Sequence, residues 1–196
     1  MNVALVDSGG ANIGSVRYAL QRLGVEAALT SDAAAIRNAD RVILPGVGAA
    51  AAAMARLRES GLVEVLQSLT QPVLGVCLGM QLLCTHSDEG DVDCLGLIDA
   101  DVRRFDDRDG LRVPHMGWNR VDTMTPHPLF ADGAGEGWAY FVHSFAVPMC
   151  AATLATCEYG IAFSAAIGRD NFLGVQYHPE RSAAFGLATL RNFLSS

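Results

Sequence analysis

The chain has 196 residues, of which 51% are hydrophobic and 18% charged, and its formal net charge at pH 7 is −7. This excess of negative charge, without a run of basic residues, speaks against a nucleic-acid surface. All fourteen basic side chains are arginines, which excludes a Schiff-base lysine and a phosphate loop that needs a lysine. The length predicts one domain over residues 1–196.

The cysteines and histidines give no sign of a disulfide framework or a metal centre. The five cysteines form no C-x-x-C pair, and an odd number without a signal-peptide pattern fits the reducing cytoplasm. No two histidines have metal-ligand spacing, so we expect neither a metal nor another cofactor. No apolar run is long enough to cross a membrane.

In the first half of the chain, short apolar runs alternate with segments of helical periodicity. Four such repeats indicate an α/β fold with an open parallel sheet and helices on both of its faces. The predicted strands are residues 2–6, 26–29, 41–44 and 73–76, and the predicted helices are residues 13–23, 32–38, 49–59, 62–69 and 78–84.

The second half has a different pattern. Short β-type runs separated by Pro, Gly and Asp predict antiparallel strands appended to the sheet, before a closing helix over residues 183–194. We expect His86 at the end of helix 78–84, and mobile loops over the polar residues 87–93 and 106–110. The predicted antiparallel strands are residues 120–121, 139–147, 153–157, 162–167 and 172–175.

Cys77 stands between the predicted strand 73–76 and the helix that follows it. Gly75 and Gly79 flank it in the G-x-C-x-G form of a nucleophile elbow, and a Cβ at either position would crowd that turn. At the start of a helix, unpaired N–H groups favour a thiolate, and the Leu78 N–H can face an oxyanion. The alternative is a buried core cysteine.

A nucleophilic thiol needs a base, and His178 is the best placed of the five histidines. Pro179 forces His178 into an extended conformation, in which residues two apart point to the same side. Glu180 can therefore reach the imidazole ring and fix its tautomer. Cys77, His178 and Glu180 form a candidate catalytic triad; the alternative is a strand-end histidine beside an exposed glutamate.

Two glycine-containing turns follow predicted strands. In residues 45–48, two glycines around Val47 allow the backbone to present the Val47 N–H toward Cys77, although an ordinary βα turn is the alternative. Residues 9–14 approach the dinucleotide-binding pattern G-x-G-x-x-G, but Ala11 occupies the second glycine position, so a plain tight turn with Asn12 as helix N-cap is favoured.

The order and spacing of these motifs resemble the class I glutamine amidotransferases. In that family G-x-C-x-G-x-Q is joined to a late H-P-E, as it is here over residues 75–81 and 178–180. An α/β-hydrolase, in contrast, places its acid before its histidine. The resemblance implies a flavodoxin-like fold and the release of ammonia from glutamine through a thioester.

The site residues that this resemblance implies fall into three groups. The catalytic triad is Cys77, His178 and Glu180. The oxyanion hole is formed by the backbone N–H groups of Val47 and Leu78. The glutamine-binding residues are Gly46, Gly48, Gln81, His143 and Ser144.

Further segments are similar to the glutaminase subunits of imidazole glycerol phosphate synthase, an enzyme of histidine biosynthesis. These segments are residues 7–16, 45–48, 114–119, 140–145 and 176–182. The similarity implies a heterodimer with a TIM-barrel cyclase subunit. That subunit would receive ammonia made from L-glutamine and yield imidazole glycerol phosphate and aminoimidazole carboxamide ribotide.

The same similarity suggests where the cyclase subunit would bind. Met116, Trp118 and Asn119 are the interface candidates, because an aromatic anchor in a glycine-containing loop suits a docking surface. Internal packing of Trp118 is the alternative. Arg181 stands where the family has a lysine associated with the subunit interface, and it keeps the charge but not the shape.

Two other classes of function remain open on the sequence alone. One is an amidotransferase that serves a different synthase, or a free-standing thiol hydrolase. The other is a catalytically idle binding module that holds a nucleotide at residues 9–14.

Overall fold

The computed structural model of the chain describes residues 1–9, 13–107, 110–131 and 136–196. Asn12, predicted as the N-cap of the first helix, lies outside the described residues, and so do Gly10 and Ala11 of the glycine-containing turn. The predicted loop 106–110 is described only in part.

The described residues contain thirteen β-strands and six α-helices. The strands are β1 (Val3–Val6), β2 (Ala27–Thr30), β3 (Arg41–Gly46), β4 (Val73–Cys77), β5 (His86–Ser87), β6 (Val92–Asp93), β7 (Asp101–Arg104), β8 (His115–Thr123), β9 (Glu136–His143), β10 (Phe145–Ala146), β11 (Thr153–Tyr159), β12 (Ile161–Arg169) and β13 (Phe172–Val175). The helices are α1 (Ile13–Arg22), α2 (Ala33–Arg37), α3 (Ala50–Glu59), α4 (Val63–Gln67), α5 (Leu78–Leu82) and α6 (Ala183–Ser195).

Nine strands form the main sheet, in the order β2-β1-β3-β4-β13-β12-β11-β8-β9. The first five are parallel to one another, in the spatial arrangement of a flavodoxin-like sheet. The remaining pairs are antiparallel. The predicted α/β fold with appended antiparallel strands is confirmed.

One strand assignment was only half right. Residues 172–175 were predicted among the antiparallel strands, and β13 does pair antiparallel with β12. Its other edge pairs in parallel with β4, so that β13 completes the parallel half of the sheet. The sequence pattern of a buried strand is the same for both kinds of pairing.

Apolar side chains cover both faces of the sheet. Helices α1 and α6 contribute Leu20 and Phe193 to the apolar cluster on one face. Helices α3, α4 and α5 contribute Met54, Leu66 and Met80 to the cluster on the other face. Strands β1, β4 and β13 are buried along their whole length, as expected for strands covered on both sides. No helix of the described residues is long and apolar enough to span a membrane.

A second, four-stranded sheet lies after the elbow helix, in the order β10-β7-β5-β6. It corrects two predictions. His86 belongs to strand β5 and not to a helix end, because α5 ends at Leu82. The predicted loop 87–93 contains β6 and the fully buried Ser87. Polar composition misled the loop prediction, since β6 is a short edge strand and such strands tolerate polar residues.

Candidate active site

The turn from β4 into α5 has the geometry of a nucleophile elbow. Cys77 is the last residue of β4, the N-cap of α5, and adopts φ 54° and ψ −112°, which is a strained conformation for a residue with a Cβ. A Cβ on Gly75 would lie 2.5 Å from the Gly79 carbonyl oxygen, and a Cβ on Gly79 would collide with the Leu44 carbonyl. Both glycines are therefore needed for the close packing of α5 on the sheet, as predicted.

His178 and Glu180 follow β13 and are held as a pair. The distance between His178 Nδ1 and Glu180 Oε1 is 2.8 Å, and both side chains are almost completely buried. A carboxylate only accepts, so Nδ1 carries the proton and Nε2 is the ring atom available to Cys77. The His178 backbone is fixed by its N–H, which donates to the Tyr140 carbonyl, and by its carbonyl, which accepts from the Ser182 hydroxyl.

Opposing effects act on the protonation of His178. Burial lowers its pKa, but the hydrogen bonds and charges of Cys77 and Glu180 outweigh burial, so that the pKa of His178 is raised. The raised pKa favours the protonated form of His178, which can donate a proton from Nε2.

Cys77 and His178 border one cavity of about 380 Å³. Most of the residues singled out in the sequence also line it: Val47, Gly48, Leu78, Gln81, His143, Ser144 and Arg181. Gly46 borders instead a smaller apolar cavity, together with Val47, His178 and Glu180. Gly46 is therefore not among the residues that line the cavity beside Cys77 and His178, and its predicted contact with glutamine stays a prediction.

The segment predicted to supply the second oxyanion donor runs beside the elbow. Gly46 pairs with Cys77 in the β3–β4 register, and a Cβ on Gly46 would meet the Gly79 nitrogen at 2.6 Å. Gly48 has φ +98°, a conformation that favours glycine. The buried Ser8 hydroxyl donates to the Pro45 carbonyl at 2.7 Å and anchors the start of the segment.

His143 contacts the cavity from β9 as a neutral ring. Burial is the main reason that the pKa of His143 falls to about 3, and burial lowers that of His115 to about 4. His143 Nδ1 donates to the Phe145 carbonyl at 2.8 Å, and its Nε2 accepts from His115 Nδ1 at 3.1 Å. Asn119 then donates to His115 Nε2 at 3.2 Å. Because a carbonyl only accepts, the Phe145 oxygen fixes the direction of this whole chain.

Strand β8 places the predicted interface residues on two different faces. Met116 and Trp118 point outward, with exposed fractions of 61% and 51%, on a strand and not on the predicted loop. Asn119 is a correction: side chains alternate along a strand, and its amide donates to the Glu158 carbonyl and His115 on the opposite face. It therefore does not belong to the outward surface.

Arg181 connects the cavity to that outward surface. It lines the cavity, and its guanidinium carbon lies 4.2 Å from the centroid of the Tyr140 ring. Tyr140 faces Trp118 across the β8–β9 pair. Trp138, which is 60% exposed and was not singled out in the sequence, extends the same surface.

Comparison with known proteins decides the family. The family model described as glutamine amidotransferase class-I matches residues 4–196. This chain is a class-I glutamine amidotransferase. The predicted resemblance is confirmed, and the active-site geometry can be considered within this family.

The class-I amidotransferase has near full-length relatives. It is 55% identical over 193 residues to the imidazole glycerol phosphate synthase subunit HisH of Xanthomonas campestris pv. campestris (strain 8004), covering 98% of this chain and 96% of the relative. It is 56% identical over 192 residues to HisH of Xylella fastidiosa (strain Temecula1 / ATCC 700964), with the same coverage. A crystal structure of a glutamine amidotransferase has the same fold, with a TM-score of 0.76 and 20% identity over 98% of this chain and 97% of that one.

Two polar residues of the amidotransferase site were missed in the sequence. Glu89 lines the cavity, and its carboxylate accepts from the Ala50 N–H at 2.9 Å, which caps α3. Gln176 is completely buried, with its Nε2 3.9 Å from Cys77 Sγ. Gln176 could have been found from its position two residues before His178, whereas no local signal marks Glu89. Among the described residues, no group of three or more His, Cys, Asp or Glu could hold a metal.

Proposed function

We propose that this chain is the glutaminase subunit of an imidazole glycerol phosphate synthase and hydrolyses L-glutamine to L-glutamate and ammonia in L-histidine biosynthesis. The observation that carries the proposal is Cys77 on a strained elbow beside His178, at one cavity of a class-I amidotransferase. Similarity to HisH subunits over 98% of the chain supports this particular synthase.

In the first half of the proposed reaction, the Cys77 thiolate attacks the side-chain amide carbon of glutamine. The C–S bond forms, and the amide oxygen becomes an oxyanion that the N–H groups of Leu78 and Val47 stabilise. His178 Nε2 gives its proton to the amide nitrogen, the C–N bond breaks, and ammonia leaves a thioester on Cys77. Glu180 keeps the imidazolium oriented through the 2.8 Å contact to Nδ1.

In the second half, water hydrolyses the thioester. His178 Nε2, now neutral, takes a proton from the water as the water oxygen attacks the thioester carbon. The second oxyanion forms at the same two N–H groups, the C–S bond breaks, and glutamate leaves with Cys77 restored as a thiolate. The same imidazole nitrogen therefore acts first as an acid and then as a base.

The charges of the cavity wall suit a zwitterionic amino acid. Glu89 offers a carboxylate for the substrate ammonium group, and Arg181 offers a guanidinium for the substrate carboxylate. The Gln81 NH₂ group already donates to the Phe145 carbonyl and to the Gln176 oxygen. The Gln81 oxygen is therefore the atom that can contact glutamine. Gly48, His143 and Ser144 complete the proposed glutamine site.

The proposed partner is a TIM-barrel cyclase subunit in a heterodimer. Met116, Trp118 and Arg181 are the proposed contacts, and Trp138 lies on the same face as Trp118. We propose residues 1–196 as one glutaminase domain that needs no cofactor. We propose a cytoplasmic location, because the five cysteines of the chain are free and thiols stay reduced in the cytoplasm.

Replacement of the nucleophile tests this proposal. In the assembled synthase, Cys77→Ala should reduce glutamine-dependent synthesis by at least about 10³-fold, because no thioester can form. Synthesis from added ammonium salts should remain, since the cyclase site lies on the other subunit. Equal loss of both activities in a complex that still assembles would contradict the proposal.

Cys84 provides the matched control. It is fully buried just beyond the end of α5, and burial raises its thiol pKa. Cys84→Ser should leave both activities near those of the unmodified enzyme. A selective loss of glutamine-dependent activity in Cys84→Ser would show that the wrong thiol was assigned.

A further inference from the structure

Gln176 contacts the nucleophile but has no part in the mechanism above. It follows β13 directly, its side chain is completely buried, and its Nε2 lies 3.9 Å from Cys77 Sγ. A buried amide is costly without hydrogen-bond partners. The partners of the Gln176 amide therefore determine which of its ends is nitrogen and which is oxygen.

The orientation of the Gln176 amide follows from one carbonyl group. The Phe145 carbonyl oxygen can only accept, so the group of Gln81 that lies 2.9 Å from it must be the NH₂. The same Gln81 nitrogen is 2.9 Å from the other end of the Gln176 amide, which must therefore be oxygen. The remaining end, which faces Cys77, is then an N–H donor.

An N–H group aimed at sulfur favours the thiolate over the thiol. The accepting atom gains negative charge when Cys77 ionises, and hydrogen bonds to a charged acceptor are the stronger ones. A sulfur acceptor takes a longer hydrogen bond than oxygen does. Because Gln81 holds the Gln176 amide in place, no reorganisation is needed when the charge appears.

We propose that Gln176 is a further catalytic residue of this glutaminase, donating a fixed hydrogen bond to the Cys77 thiolate, with Gln81 as the residue that positions it. This inference rests on the proposed role of Cys77 as nucleophile. Two groups would then stabilise the thiolate: the His178 cation and the neutral N–H group of Gln176. Gln176 is not among the residues that line the glutamine cavity, so its effect falls on the reactivity of the sulfur and not on substrate binding.

Alkylation of Cys77 in the purified chain measures this effect without substrate or partner. The rate of modification by iodoacetamide is followed against pH, with the Cys77 peptide quantified by mass spectrometry because four other thiols are present. Gln176→Met keeps the chain length and removes the donor. At pH 7 it should slow alkylation about fivefold and move the midpoint of the profile upward. In the assembled synthase, kcat for glutamine hydrolysis should fall about tenfold with KM nearly unchanged.

A second variant and a matched control complete the test. Gln176→Asn keeps the amide but is one methylene shorter, so it cannot reach both Gln81 and Cys77, and it decides the question if Gln176→Met does not fold. Gln67→Met removes an amide hydrogen bond of 2.8 Å to the Leu95 carbonyl at an exposed position of α4, and should leave alkylation unchanged.

An alkylation profile identical to that of the unmodified chain, in a folded Gln176 variant, would overturn the inference even if glutaminase activity were lost. Such a result would reduce Gln176 to a packing role. The outcome is independent of the Cys77→Ala experiment, which tests the nucleophile itself, so failure of either idea can be recognised separately.

Discussion

At the scale of single residues, the cavity beside Cys77 is lined in part by a side chain from outside the motifs found in the sequence. Glu89 lies in the turn between β5 and β6, and its carboxylate caps α3, whose own N-cap residue, Ala49, provides no side-chain hydrogen bond. Burial raises the pKa of Glu89, and the Ala50 N–H opposes that rise. One carboxylate therefore serves both a helix end and the cavity wall.

Glu89→Gln separates these two roles. The amide oxygen can still accept from the Ala50 N–H at the start of α3, so the free energy of unfolding should change little. The loss of the negative charge should raise KM for glutamine about tenfold, because a charge-assisted hydrogen bond to the substrate ammonium group is lost, while kcat stays close to normal. Steady-state kinetics of the assembled synthase measure both constants. An unchanged KM would leave Glu89 with the capping role alone.

The sequence was sufficient for geometry that is encoded locally. The spacing of Gly75, Cys77 and Gly79 specifies the elbow, and His178 and Glu180 are two residues apart on an extended segment, so both assignments need only nearby residues. Glu89 could not be predicted, because its position at the cavity depends on how β5 and β6 fold back against α3.

At the scale of elements, the β8–β9 pair carries a buried chain of polar groups beside the site. Its members are Asn119, His115, His143 and the Phe145 carbonyl, all connected by hydrogen bonds of 2.8 to 3.2 Å. Each histidine must stay neutral, because one ring nitrogen donates and the other accepts. A proton added to either ring would break a link.

Because this hydrogen-bonded chain needs neutral histidines, we expect the free energy of unfolding to depend on pH. His115 has its pKa lowered to about 4 in the fold, against an ordinary value near 6.5, so the unfolded chain binds the proton more tightly. Its contribution is present above pH 6.5 and is lost as the pH falls from 6.5 toward 4. By pH 5 the loss from His115 should be about 2 kcal/mol.

Urea unfolding at pH 7.5 and pH 5 measures that loss. In His115→Gln, which keeps a donor for His143 but cannot titrate, the drop in the free energy of unfolding between the two pH values should be about 2 kcal/mol smaller. Carboxylates that titrate in the same pH range contribute equally to the drop in both proteins, so their contribution cancels in the comparison. Equal drops in both proteins would show that His115 is not held neutral.

Elements that pair with distant parts of the chain were the ones that the sequence predicted poorly. Strand β8 covers His115–Thr123 but was expected only at 120–121. Its polarity is inverted, because the apolar Met116 and Trp118 face outward whereas the polar His115 is buried. The pairing of β13 in parallel with β4 joins segments almost a hundred residues apart along the chain, which no local pattern reports.

At the scale of the whole molecule, the substrate cavity and the outward face of β8 and β9 are continuous. Val142 lines the cavity and is the cross-strand partner of the exposed Met116. Arg181 lines the cavity and contacts Tyr140, which faces Trp118. A cyclase subunit that covers this face would therefore lie next to Val142 and Arg181, which line the proposed glutamine site.

The 45–48 segment is a second place where a bound cyclase subunit could affect glutaminase activity. Val47 borders the cavity beside Cys77 and also the smaller apolar cavity. Because the proposed oxyanion hole needs the Val47 N–H toward Cys77, catalysis requires one particular orientation of this peptide. We expect the cyclase subunit to favour that orientation and thereby to increase turnover.

The most direct test of this account is the release of glutamate from glutamine by the purified chain, alone and with the cyclase subunit and its ribonucleotide ligand. The account predicts very little release by the chain alone and strong stimulation in the mixture. Rapid release by the chain alone, unchanged by the cyclase subunit, would contradict it and would indicate a free-standing hydrolase or a subunit of another synthase.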